Sequence, residues 1–195
     1  MAPRRANPRA PVSDALPGSA AVAAFALLLI GGRSGVGKTS VAWEVSELLR
    51  GKGTAHCLVE GDFLDQIHPA PTDDPLRTRI TERNLASIWA NYVALGQHRL
   101  IYTNTVSVLE EPMIRRAMGG GPVMTTRVLL TAEEETVRER LARREIGSQL
   151  AAHVERSRTM ARKLDEVAPP GTVRIPTDGR SVQEIAHDVV RATSW

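Results

Sequence analysis

The chain has one cysteine, Cys57, so no internal disulfide can form, and no grouping of cysteine and histidine has the spacing of a zinc site. Nothing here requires an oxidising compartment, and a cytoplasmic location is the expectation. Long hydrophobic runs are scarce as well. The most apolar stretch, Ser19 to Ile30, is about a dozen residues against the roughly 20 that span a bilayer, so no membrane partner is implied. It follows an Arg4-Arg5 pair and has the length of a signal-peptide apolar region. Pro17 and Gly18 interrupt the approach, however, and a glycine loop follows at once, so a strand beginning at Phe25 explains it better. Charge of one sign is lacking too. The net charge is +3, and Arg4, Arg5 and Arg9 against Asp14 put +2 of it in the first 24 residues. The remainder is close to neutral, with no basic surface to attract nucleic acid.

What is present is the composition of a globular domain: 195 residues, 42% apolar and 24% charged, long enough for a core without disulfides or metal. Residues 1 to 22 carry Pro3, Pro8, Pro11 and Pro17 among Ala, Arg and Ser without apolar periodicity, and read as a disordered leader. Residues 23 to 195 read as one folded domain. Strands are expected at Phe25 to Ile30, His56 to Glu60, Arg99 to Thr103, Thr126 to Leu130 and Val173 to Ile175. Helical patterns separate or follow them: Lys38 to Arg50, Leu76 to Leu95, Glu110 to Met118, Glu133 to Arg144, Ser148 to Glu166 and Ser181 to Arg191. Strands alternating with helices predict an α/β fold, a five-stranded parallel sheet covered on both faces with ligands at the carboxyl ends of the strands.

The decisive motif is Gly32-x4-Gly37-Lys38-Thr39, set between an apolar strand and an amphipathic helix. Its glycines let the backbone turn with N–H groups pointing inward, so a concave nest and a helix N-terminus together hold phosphate oxygens. Gly32, Arg33, Ser34, Gly35, Val36, Gly37, Lys38, Thr39 and Ser40 are therefore the expected nucleotide-binding residues. Lys38 supplies positive charge to the β- and γ-phosphates, and Thr39 offers a hydroxyl to Mg²⁺. The expected cofactors are ATP and Mg²⁺.

Motif and size resemble the P-loop small-molecule kinases, the group that includes adenylylsulfate, gluconate, shikimate and nucleoside monophosphate kinases. That resemblance implies the three-layer α/β/α P-loop NTPase fold. The segment Val59-Glu60-Gly61-Asp62-Phe63-Leu64 is similar to the Asp-Gly-Asp of adenylylsulfate kinases and the Gly-Asp-Phe-Leu of gluconate kinases. Asp62 matches in both, and is the expected catalytic acid or base, metal-organising group and substrate contact. Glu60 stands where an aspartate is expected, which leaves open which of the two serves the metal. Arg138-Glu139-Arg140-Leu141-Ala142-Arg143-Arg144 resembles the helix that opens the lid, here about 138 to 150. The resemblance gives Arg140 the adenine and Arg144 the transferring phosphate, with Arg143 as its alternative. The turn from Arg174 to Ser181 is similar to one that meets adenine in adenylylsulfate kinase relatives, implying contacts from Thr177, Gly179 and Arg180. Ser181 with Glu184 also fits a helix capping box.

The departures are informative. The third strand, Arg99 to Thr105, has no aspartate to hold the water shell of magnesium, and no Asn-Lys-x-Asp is present to read guanine. Both absences argue against a motor or a GTPase. Asn104, Thr103 and Thr105 instead end a central strand, where they can hydrogen-bond a substrate. The acceptor region is expected between the second and third strands: a loop from His68 to Pro75, then a helix with Arg79 and Arg83 four apart, a fork able to grip an anion. Trp89 and Tyr92 share a helix face, and Trp89 is expected in the core. Asp62, Arg79, Arg83 and Asn104 are thus the expected substrate contacts. Two function classes follow: a phosphotransferase acting on a small metabolite or antibiotic-like natural product, and an ATP-binding regulatory protein with weak ATPase activity.

Overall fold

The computed structural model describes residues 25–144 and 150–195. The expected leader, residues 1 to 22, lies outside them. Five strands form one sheet: β1 Phe25–Gly31, β2 Cys57–Glu60, β3 Arg99–Thr103, β4 Val123–Thr131 and β5 Val173–Pro176. Their order is β2-β3-β1-β4-β5 and every pairing is parallel. Among the described residues six α-helices accompany them: α1 Lys38–Gly51, α2 Thr78–Ala94, α3 Glu111–Ala117, α4 Glu134–Arg144, α5 Leu150–Val167 and α6 Val182–Ala192. Among the described residues no helix is long and apolar enough to cross a membrane.

The unbroken apolar run of β1 has a simple cause: the strand is central and covered on both faces, so both sets of alternating side chains are buried. Leu28 and Ile30 join Val41, Val45 and Leu49 of α1 and Ile185 and Val189 of α6 on one face. Leu27 and Leu29 join Leu85 and Trp89 of α2 and Ile114 of α3 on the other. Trp89 is in the core as expected, its ring edge-on to Phe25 at 5.1 Å between centroids. The expected capping box is present, with the Ser181 hydroxyl accepting from the Glu184 amide and the Glu184 carboxylate accepting from the Ser181 amide.

Most boundaries fall within a residue of expectation; among the described residues, two starts are displaced further. Strand β4 begins three residues earlier than expected, at Val123, because pairing of Phe25 with Val123 and Ala26 with Met124 draws a partly exposed segment into the sheet. Helix α2 begins at Thr78 rather than Leu76. The buried Asp74 carboxylate accepts the amides of Arg79 and Ile80, and Arg77 turns the chain into the helix with φ 57°.

This topology positions the crevice. Ile30 and Glu60 both pair with Thr103, so the carboxyl ends of β1, β2 and β3 are level. The chain leaves β1 and β2 there, the first into the glycine loop and the second into a single 3₁₀ turn, Gly61–Phe63. That turn fits only because residue 61 has no side chain: a Cβ would stand 2.5 Å from Cζ of the fully buried Tyr102. Gly61→Ala is expected to cost about 1–3 kcal/mol through this clash, read as a lower midpoint in thermal or urea unfolding. An unchanged midpoint would mean that the turn has room to move.

Candidate active site

The glycine loop is held by its carbonyl groups. Lys38 Nζ reaches the Arg33 oxygen at 3.4 Å, Ser157 Oγ of α5 donates to the Ser34 oxygen at 2.9 Å, and Arg140 Nη1 of α4 lies 3.5 and 3.4 Å from the oxygens of Gly35 and Val36. Val36 is buried in the core and pins the middle of the loop. Gly32, Gly35 and Gly37 have φ values of 142°, 90° and 94°, which disfavour a side chain. At Gly32 a Cβ would also lie 2.6 Å from the Leu130 oxygen. The first helical bond of α1 runs from the Val41 amide to the Gly37 oxygen at 3.0 Å, so the amides of Lys38, Thr39 and Ser40 precede any helical acceptor. Carbonyls restrained by the protein and helix-end amides without helical acceptors make an anion-binding concavity.

The facing wall comes from β2 and β3. Thr39 Oγ1 donates to Glu60 Oε1 at 2.5 Å, which couples the helix start to the end of β2. Glu60 is thus the acid that touches the hydroxyl, while Asp62 lies two residues on, within the electrostatic reach of Lys38. The Asp62 carboxyl is pushed above the usual aspartate range, chiefly by desolvation. Lys38 opposes this, and Glu60 and Asp65 reinforce it. Asp62 lines a cavity of about 190 Å³ with Asp65, Thr78, Thr81, Asn104 and Glu110. Asn104 donates to Glu110 Oε2 at 2.7 Å and accepts from the Val106 amide at 2.9 Å. Burial also pushes Glu110 above the usual range, with the Asn104 bond opposing and the charges of Asp62 and Asp65 adding.

Other expected residues fall elsewhere. Arg79 and Arg83 do not line the cavity of Asp62 and Asn104; they sit on the other flank of α2, in a hollow with Glu82 and Arg116. Arg79 is exposed and held by Asp73 at 2.5 Å, and Arg116 is paired with Glu82 at 2.7 Å. Helical spacing put the two arginines on one side correctly; the side turned to the crevice carries Thr78 and Thr81. Arg33 bends away, its Nη2 donating to the Ala132 oxygen at 2.8 Å. Thr103 Oγ1 donates to the Ile30 oxygen at 3.0 Å, which leaves it a structural role between strands.

On the opposite side, Arg140 donates to the hydroxyl and carbonyl oxygens of Thr177, both at 3.0 Å, and so bridges the loop and the turn after β5. Thr177 is fully buried, Gly179 is exposed, and Arg180 is paired with Asp188 at 2.6 Å. Arg144 ends α4, but its side chain, like residues 145–149 of the expected lid, lies outside the described residues. Sequence reasoning missed Ser157, Asp65 and Glu110. Glu110 becomes a neighbour only through the pairing of β2 with β3, and no local pattern marks Ser157.

The AAA domain family matches residues 28–161, more than half of the chain, and the chain belongs to that family. No curated protein gives a significant match. Among solved structures the fold is shared with a gluconokinase from Sinorhizobium meliloti 1021, at 18% identity and TM-score 0.55, covering 87% of this chain and 92% of that one. It is shared with the APS kinase of Mycobacterium tuberculosis in complex with AMPPNP and APS, at 21% identity and TM-score 0.55, covering 87% and 97%. A tunicamycin resistance protein from Deinococcus radiodurans is similar at 17% identity and TM-score 0.56, covering 85% and 93%.

The restraint of the loop by Arg140 is testable without a substrate. Arg140→Met keeps the aliphatic bulk and removes the bonds to Gly35, Val36 and Thr177. It is expected to lower stability by about 1–3 kcal/mol and to speed amide hydrogen exchange across residues 35–39. Exchange at the wild-type rate would show that the loop holds its shape without this side chain.

Proposed function

We propose that the chain is an ATP-dependent phosphotransferase, moving the γ-phosphoryl group of ATP to a hydroxyl of a small molecule. One observation carries the reading: a phosphate-shaped loop with Lys38 faces, across a level crevice, a cavity walled by Asp62. The family and the kinase names of two structural relatives support it, one of them solved with AMPPNP beside APS.

The roles follow from position. The amides of residues 33–40 and Lys38 hold the triphosphate and bear the charge that builds on the transferred group. Thr39 and Glu60, oxygen donors in contact at 2.5 Å, suit Mg²⁺. Among the described residues no group of three acidic, histidine or cysteine side chains could hold a metal by itself, as suits an ion bound mainly through phosphate and water. Bound there, Mg²⁺ would neutralise triphosphate charge. Asp62 accepts the proton of the acceptor hydroxyl, aided by a carboxyl basicity raised by desolvation. Asn104 fixes Glu110 on the acceptor wall. On the base side, Thr177 works indirectly by fixing Arg140, and the exposed Gly179 offers its backbone to adenine.

Lys38→Ala is expected to lower single-turnover transfer from γ-labelled ATP by about 100-fold or more; a wild-type rate would overturn the loop assignment. Asp62→Asn is expected to lower kcat by about 10²–10⁴-fold while AMPPNP binding persists; equal loss of both would make Asp62 a metal group instead. Because the base must be deprotonated and its pKa is raised, wild-type kcat/KM falls as pH drops through a value above the ordinary aspartate range. That acidic limb is expected to disappear in Asp62→Asn, and its persistence would assign the proton to another group.

A further inference from the structure

We propose that the acceptor is an amine-bearing alcohol with an apolar portion, a molecule that brings a positive charge and a greasy face to the crevice with its reacting hydroxyl. This rests on the phosphotransferase reading and names the substrate class of the same site.

The wall chemistry is one-sided. Asp62, Asp65 and Glu110 all line the cavity, and among the described residues no lysine or arginine does. One carboxylate suffices to take a proton from a hydroxyl, so two remain. Asn104, nine-tenths buried, holds one oxygen of Glu110; the other oxygen has no hydrogen-bond partner among the described residues. An anionic acceptor would meet three carboxylates and the triphosphate together, an arrangement that opposes binding in a partly desolvated cleft. Arg79 and Arg83, which would favour an anion, face the other flank of α2. A positively charged amine beside Asp65 and Glu110 supplies the missing countercharge and donates to the open oxygen.

The rim gives an independent indication. Leu76, on the cavity wall, is 84% exposed, and Phe63, in the turn that carries Asp62, is 73% exposed. A large exposed apolar side chain on the wall of a polar cavity suits a ligand that covers it, which a hydrated metal ion or a small sugar acid does not. Carboxylates and an exposed leucine on the same cavity wall together select an organic cation.

The test is calorimetry of the full chain saturated with Mg²⁺ and AMPPNP, using four probes: erythromycin (an amino sugar on an apolar lactone), kanamycin (a polar polyamine), neutral chloramphenicol and anionic gluconate. The expected order is erythromycin tightest, kanamycin next, and the other two at least about tenfold weaker. Asp65→Asn and Glu110→Gln are each expected to weaken both amines by about tenfold, while Leu76→Ser weakens erythromycin more than kanamycin. Retained AMPPNP binding reports an intact fold in each variant. Gluconate or chloramphenicol binding as tightly as the amines, no amine binding, or amine binding indifferent to both carboxylate variants would overturn the proposal alone. Failure of the wild-type chain to bind AMPPNP would overturn the phosphotransferase reading itself.

Discussion

The carbonyl oxygens between Arg33 and Val36 must be held before the amides beside them can serve an anion. A short glycine-rich segment has no sheet or helix partner for these groups, and left alone it would relax toward water. Here a lysine of the loop, a serine of α5 and an arginine of α4 take them in turn. Each bond contributes little against solvent, on the order of 1 kcal/mol, yet together they select one backbone conformation from many. The amide concavity is a consequence of where the oxygens are restrained.

The sheet supplies the other half of the site through its order. With β3 between β1 and β2, the glycine loop and the Gly61–Phe63 turn leave the same edge at the same height. Thr39 and Glu60 then meet although 21 residues separate them, and Asp62 falls within reach of Lys38. Tyr102 fills the space under the turn, which leaves residue 61 no room for a side chain. Packing beneath the sheet edge therefore sets the position of the proposed base as firmly as the turn itself does.

Much of this was legible in the chain. The doubly covered strand declared itself by an unbroken apolar run, and the glycine, lysine and threonine spacing located the phosphate loop. Pairing across the sheet was less visible. Glu110 joins Asp62 only once β2 and β3 are neighbours, a relation between segments 40 residues or more apart that no local pattern encodes. Helical periodicity grouped Arg79 with Arg83, but it carries no information about which flank of α2 meets the crevice. Glu60, in the place of an expected aspartate, reaches the threonine with one more methylene.

Helices α4 and α5 are also tied to one another, Arg158 donating to Glu134. Arg140 from one and Ser157 from the other grip neighbouring oxygens of the loop, so the two helices act as the jaws of a clasp. Loop and clasp then order as one cooperative unit. By reciprocity, whatever steadies the nucleotide tightens the clasp, and an effector that spreads its jaws loosens the nucleotide by an equal free energy.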